Sequence, residues 1–111
     1  MERIKIYQQH VQQLLSKYAQ YKPAYGEIEV ETIFDVERNH YQIVHIGWHQ
    51  QRWIHTCIIH IDIKNDKIWI QWNATEADIA SELVELGVPK KDIVLGFQPP
   101  FMRQFTSYAV S

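Results

Sequence analysis

Apolar side chains recur at three- and four-residue intervals along the first eighteen residues, with glutamines between them. They are Ile4, Tyr7, Val11, Leu14, Leu15 and Tyr18. Because an α-helix has 3.6 residues per turn, this spacing places them on one face. The pattern predicts an amphipathic helix of about five turns. Pro23 and Gly26 are expected to end it and to turn the chain.

From residue 27 to residue 37 the period changes to two. One row of alternate positions is Ile28, Val30, Thr32, Phe34 and Val36, and the other is Glu27, Glu29, Glu31, Asp35 and Glu37. This alternation predicts a half-buried strand. Carboxylates on the same face of a strand lie about 7 Å apart, too far to share a proton, so we expect the acidic row to face solvent. Residues 41–48 are apolar on both faces and predict a second strand of undetermined register.

A hairpin is predicted next, with Asn65-Asp66 as its two-residue turn, because both residue types tolerate a left-handed backbone. The pairs predicted on its buried face are Ile63 with Ile68, Ile61 with Ile70, and Ile59 with Trp72. The pairs predicted on the opposite face are Asp62 with Trp69 and His60 with Gln71. The same alternation places Cys57 with Ile59 on the buried face, where a thiol is unreactive.

The hairpin is followed by a second helix. Thr75 is its predicted N-cap, with Asp78 in the position of a capping-box partner. Its apolar stripe is Ile79, Leu83 and Leu86. Gly87 and Pro89 are expected to end the helix, and residues 93–97 predict a short final extended segment.

Together these elements predict one α+β domain over residues 1–111. It has an N-terminal helix, an antiparallel sheet of about four strands, a second helix after the sheet and a short extended end. A chain of 111 residues that is 46% hydrophobic suffices for one core. Two arrangements are open. Either the two helices cover opposite faces of the sheet, or another polypeptide covers the second face, with residues 101–108 of this chain contributing.

Composition narrows the classes of function. A net charge of −2 without a clustered basic segment disfavours direct nucleic-acid binding. The single cysteine and the lack of any run of eighteen apolar residues predict a cytoplasmic protein without a membrane segment.

No reactive constellation is recognisable in the chain. Strand alternation separates His55 and Cys57 from His60 and Asp62, so four ligands are not expected to converge on a metal ion. The chain has no Gly-x-Ser-x-Gly motif and no glycine-rich phosphate loop. We therefore predict no catalytic residue, no cofactor and no metal.

Several segments, in this order, carry a resemblance to a known family: HIDIK, KIWIQ, TEADIASELVEL and GVPKKDIVLGF. They resemble the XisI family, whose founding members are described as controlling factors for excision of the fdxN element in cyanobacteria. The resemblance extends over nearly the whole chain. It implies a non-enzymatic accessory protein that acts beside a site-specific recombinase and a second factor, XisH, which resembles a nuclease fold.

Trp69 is expected on the second sheet face together with Ile54 and Ile58, and its exposed aromatic side chain predicts a protein interface. The candidate partner-binding residues are Ile58, His60, Asp62, Trp69, Gln71, Phe101 and Arg103. The expected occupant is an XisH-like protein or, in a homodimer, a second copy of the chain. The alternative function is a small ligand-binding or catalytic site built on His60, Asp62 and Gln71.

Overall fold

A computed structural model of the chain describes residues 2–111. In chain order its elements are α1 (Glu2–Tyr18), β1 (Glu27–Asp35), β2 (His40–His49), β3 (Arg52–Lys64), β4 (Lys67–Asn73), α2 (Ile79–Glu85), a 3-10 turn (Lys90–Asp92), β5 (Ile93–Leu95) and α3 (Pro100–Arg103). The predicted α+β class and both main helices are confirmed. Within residues 2–111, no helix is long and apolar enough to cross a membrane.

The strands form one five-stranded sheet in the order β1-β2-β3-β4-β5. The first four are antiparallel neighbours, as predicted. The final extended segment is a fifth strand, β5, which pairs with β4 in parallel. Parallel neighbours need a crossover connection, and α2 lies in that connection.

Both main helices pack on the same face of the sheet, which we call the helical face. The buried core between them and the sheet contains Tyr7, Val11, Leu14 and Leu15 from α1, Ile79, Ala80 and Leu83 from α2, and Tyr41, Ile43, Ile59, Ile61, Ile63, Ile68, Ile70 and Ile93 from the strands. The arrangement with one helix on each face is therefore wrong. We call the opposite face of the sheet the open face.

The predicted β3–β4 hairpin is confirmed at its turn. Asn65 and Asp66 have φ angles of 54° and 62°, the left-handed conformation that this turn requires. Next to the turn, the predicted pairs Ile63 with Ile68, Ile61 with Ile70, and Asp62 with Trp69 all form.

Farther from the turn, a β-bulge shifts the hairpin register. Trp72 pairs with His60 and Asn73 with Ile59, so Gln71 is the additional residue on β4. The predicted pairs of Ile59 with Trp72 and of His60 with Gln71 are therefore wrong. Trp72 is 51% exposed and is not a core residue. A bulge places two residues opposite one, and strict alternation does not anticipate it.

A second bulge lies in β3. Ile43 pairs with Ile59 and Val44 with Cys57, which leaves Ile58 as the additional residue. Ile58 packs against the core on the helical face, so its predicted place on the opposite face is wrong. Cys57 opposes Val44 and is partly exposed, so its predicted core position is also wrong. Desolvation still raises the pKa of the Cys57 thiol.

The second helix begins later than predicted. Its N-cap is Asp78, whose Oδ1 accepts a hydrogen bond from the backbone nitrogen of Ser81 at 3.0 Å. Thr75 instead donates its hydroxyl to Asn73 Oδ1 at 2.6 Å, within the turn that leads to the helix. The predicted stop is confirmed, because Gly87 follows the helix with a φ of 109°.

Two tyrosine hydroxyls on α1 bind it to the C-terminal half of the chain. Tyr7 donates to the carboxylate of Asp92, which is 7% exposed and lies in the 3-10 turn before β5. Tyr18 donates to Glu82 on α2. Burial, followed by the hydrogen bond to the carboxylate, raises the pKa of each tyrosine to about 12.

We predict that Tyr7→Phe lowers the free energy of unfolding by about 1–3 kcal/mol at neutral pH, because a buried carboxylate loses its donor. The raised pKa makes the hydroxyl of Tyr7 a source of stability that is present below pH 10 and lost as pH rises toward about 12. Urea unfolding from pH 7 to pH 12 measures both effects. Tyr21→Phe is the matched control, since Tyr21 is 66% exposed. Equal stability of the two variants would contradict the prediction.

Candidate functional site

The candidate site lies on the open face of the sheet. Strand pairing and alternation assign to this face Glu27, Glu29, Glu31, Ile33 and Asp35 of β1, His40, Gln42, Val44, Ile46 and Trp48 of β2, Trp53, His55, Cys57, His60 and Asp62 of β3, Trp69, Gln71 and Trp72 of β4, and Val94 of β5. The acidic row of β1 is therefore on the face away from the core, as predicted.

A cluster of polar side chains lies where β2, β3 and β4 are adjacent. His40 Nδ1 and His60 Nε2 each lie 2.8 Å from the same carboxylate oxygen, Asp62 Oδ1. Gln71 Nε2 donates to the other oxygen, Asp62 Oδ2, at 3.2 Å. We call these four residues the histidine–aspartate cluster. The sequence had already placed three of them on one face.

His40 is the member that the sequence analysis missed. It pairs directly with Asp62 across β2 and β3. The sequence left the register of β2 open, because apolar residues occupy both of its faces. The sequence therefore does not say which residue of β2 lies opposite Asp62. No other local signal marks His40.

The carboxylate of Asp62 is the electrostatic centre of the cluster. Its side chain is 14% exposed, and this burial by itself raises its pKa. Hydrogen bonds from His40, His60 and Gln71 outweigh the burial and hold the pKa below its ordinary value. An ionised carboxylate only accepts hydrogen bonds. Each imidazole in this arrangement therefore carries a proton on the nitrogen that faces Asp62.

A glycine on the neighbouring chain segment leaves room for the side chain of Gln71. A Cβ atom on Gly96 would lie 2.3 Å from Oε1 of Gln71, closer than two such atoms can approach. The backbone nitrogen of Gly96 donates to the carbonyl of Ile70 at 2.8 Å. The carboxamide of Gln71 therefore occupies space that any other residue at position 96 would fill.

Trp69 lies on the open face, as predicted, but it is not available to another subunit. It is 9% exposed. The guanidinium carbon of Arg103 lies 5.3 Å from the centroid of the Trp69 ring, and Lys64 Nζ lies 4.2 Å from it. The chain's own C-terminal segment, residues 100–111, therefore contributes to the covering of Trp69.

Arg103 connects the C-terminal segment to the end of the sheet. Its guanidinium lies within hydrogen-bond distance of four backbone carbonyls, those of Leu95, Gln98, Gly96 and Val110, at 3.1–3.4 Å. These contacts occupy Arg103, so it is a structural residue of the C-terminal segment. Phe101, in contrast, is 67% exposed and is free to contact another molecule.

Two tryptophans form an exposed pair at the far end of the open face. Trp48 and Trp53 are directly paired across β2 and β3, with ring centroids 5.3 Å apart in an edge-to-face arrangement. They are 52% and 53% exposed. We call them the tryptophan pair. Neither tryptophan is among the candidate residues from the sequence, because the register between β2 and β3 that brings them together was undetermined.

We predict that Arg103→Ala releases the C-terminal segment. The backbone nitrogen of Ala109 donates to Ile93 at 2.9 Å, and its hydrogen exchange should become at least about tenfold faster. The free energy of unfolding should fall by about 1–3 kcal/mol, because four carbonyls lose their donor. Exchange mass spectrometry measures the first effect, and Arg52→Ala, at an exposed position, is the control. Unchanged exchange at Ala109 would show that Arg103 does not hold this segment.

Comparison with known proteins agrees with the resemblance predicted from the sequence. A sequence model of the XisI protein family matches residues 1–110. The crystal structure of a XisI-like protein from Anabaena variabilis is similar, with 47% identity, coverage of 97% of this chain and 99% of that one, and a TM-score of 0.92. The fdxN element excision controlling factor XisI from Anabaena variabilis is 28% identical over 98% of this chain and 99% of that one, with a TM-score of 0.87. None of the curated proteins matches. The chain belongs to the XisI family.

Proposed function

We propose that this protein is a non-enzymatic cytoplasmic accessory factor that controls the excision of a DNA element by binding a partner protein. Family membership supports the proposal, since one relative is named as an excision controlling factor. The partner that fits the family resemblance is an XisH-like protein. In this proposal the partner or the recombinase carries out the DNA chemistry, and the XisI-like chain determines whether that chemistry proceeds.

The observation that carries the proposal is the half-exposed tryptophan pair on the open face. Large aromatic side chains at the surface are enriched in protein interfaces and often dominate the binding energy. Both main helices are on the helical face, so neither covers Trp48 or Trp53. Ile33, at 47% exposure, adds apolar area to the same face.

Charge on the open face favours a protein partner over a nucleic acid. Three exposed glutamates lie along the edge strand β1 on this face: Glu27, Glu29 and Glu31. Phosphate groups would be repelled there, whereas basic side chains of a protein would be attracted. The partner surface that fits combines an apolar pocket for the tryptophan pair with lysines or arginines opposite β1.

The C-terminal segment extends the proposed surface at the other end of the sheet. Phe101 is 67% exposed, Phe105 is 75% exposed and Met102 is 41% exposed. Arg103, which lies between these residues, stacks on Trp69 of the open face. The proposed binding surface therefore consists of the tryptophan pair, the histidine–aspartate cluster and Phe101. It leaves out Ile58, Trp69 and Arg103, which are engaged within the chain.

We predict that the purified chain forms a stable complex with an XisH-like protein from the same cell. Trp48→Ala with Trp53→Ala should weaken this complex at least about tenfold, because truncated interface aromatics commonly cost 2 kcal/mol or more. Isothermal titration calorimetry measures the affinity. Tyr21→Ala is the matched control, since Tyr21 is an exposed aromatic residue that adjoins Tyr18 and Ile43 on the helical face.

Several outcomes would contradict this assignment. Failure of any XisH-like protein to bind would remove the proposed partner. Light scattering that shows a dimer sensitive to the tryptophan substitutions would assign the surface to a second copy of the chain. Turnover of a substrate by the purified chain would overturn the non-enzymatic role.

The histidine–aspartate cluster supports a second candidate function, the binding of a small ligand at His60, Asp62 and Gln71. Failure to bind any XisH-like protein, together with saturable binding of a small molecule that is lost in His60→Ala, would support it.

A further inference from the structure

The histidine–aspartate cluster has features that a protein interface does not require. Two imidazole nitrogens and one carboxylate oxygen, from two adjacent strands, all lie within 4.8 Å of one another. We propose that His40 Nδ1, His60 Nε2 and Asp62 Oδ1 form a binding site for a divalent transition-metal ion of the Zn²⁺ class. This inference does not depend on the proposed partner binding.

Two of the three separations, those from each histidine nitrogen to Asp62 Oδ1, are close to those of a metal site. Zinc binds imidazole nitrogen and carboxylate oxygen at about 2.0–2.2 Å, which places tetrahedral ligands about 3.3 Å apart. Each histidine nitrogen is now 2.8 Å from Asp62 Oδ1. An opening of about 0.5 Å at each contact admits the ion. The side chains of His40 and His60 are 53% and 31% exposed, so solvent reaches both rings.

A supporting contact orients the carboxylate for this role. Gln71 Nε2 donates to Asp62 Oδ2 at 3.2 Å and leaves Oδ1 to the two histidines. Ligating carboxylates in metalloproteins are themselves held by such outer hydrogen bonds. Gly96 provides the space in which Gln71 lies. Gln71 therefore provides the hydrogen bond that would orient Asp62 as a metal ligand.

The donor set selects the class of ion. Imidazole nitrogen suits Zn²⁺ and its transition-metal neighbours, whereas Mg²⁺ and Ca²⁺ prefer oxygen donors in larger numbers. Three protein ligands leave a fourth tetrahedral position for water or for a side chain of another molecule. The sequence alone predicted no metal site, because four convergent ligands were not recognisable. The register that brings His40 to Asp62 was also undetermined.

Zinc chloride, titrated into the purified and chelator-treated chain in competition with a chromogenic chelator, tests the proposal. We expect one Zn²⁺ per chain, with magnesium chloride giving no binding. His40→Ala, His60→Ala and Asp62→Asn should each weaken Zn²⁺ binding at least about tenfold, and Gln71→Leu about tenfold. His55→Ala is the matched control, because His55 is an exposed histidine on the same face, outside the cluster.

Two results would overturn the site. One is the absence of Zn²⁺ binding by the unaltered chain. The other is equal affinity of His40→Ala and His55→Ala, since binding would then not involve the cluster. Thermal unfolding of each variant without metal verifies its folding. His40→Gln is the second variant at this position, because its side chain retains a hydrogen-bond donor but is a poor zinc ligand. Partner binding is measured separately, so failure of one proposal is distinguishable from failure of the other.

Discussion

The packing of both main helices on one face is the constraint on which the rest of this molecule depends. Helix α1 is fixed to α2 by the hydrogen bond from Tyr18 to Glu82 and to the turn before β5 by the bond from Tyr7 to Asp92. These bonds join the N-terminal helix to α2 and to the turn that leads into the last strand of the sheet. Because both main helices serve the same core, neither covers the open face, and the C-terminal segment packs there through Arg103 on Trp69.

The two β-bulges then decide which side chains each face receives. The bulge at Ile58 adds an apolar residue to the helical face, where it packs against the core. The bulge at Gln71 adds a carboxamide beside Asp62 on the open face. Bulges frequently redirect a side chain next to a functional site. Here one bulge completes the core, and the other supplies the outer hydrogen bond of the histidine–aspartate cluster.

Sequence periodicity predicted the elements well, and it failed where a contact is not local. The helix stop at Gly87 and the turn at Asn65-Asp66 were predictable, because each depends on the backbone preferences of one or two residues. The exposed position of Trp72 was not predictable, because the alternation of apolar and polar residues does not reveal a β-bulge. Neither was the role of His40, since it depends on the register between β2 and β3. The same register pairs Trp48 with Trp53, so one undetermined quantity concealed both parts of the site.

The distance along β2 decides how the parts of the open face can act together. His40 and Trp48 are the first and ninth residues of this strand, so at about 3.4 Å per residue they lie about 27 Å apart. An interface of ordinary size buries about 800 Å² on each partner, a patch about 30 Å across. One protein can therefore cover the tryptophan pair at one end and reach the histidine–aspartate cluster at the other. If it supplies the fourth ligand, metal affinity and partner affinity are linked, and each must strengthen the other by the same factor.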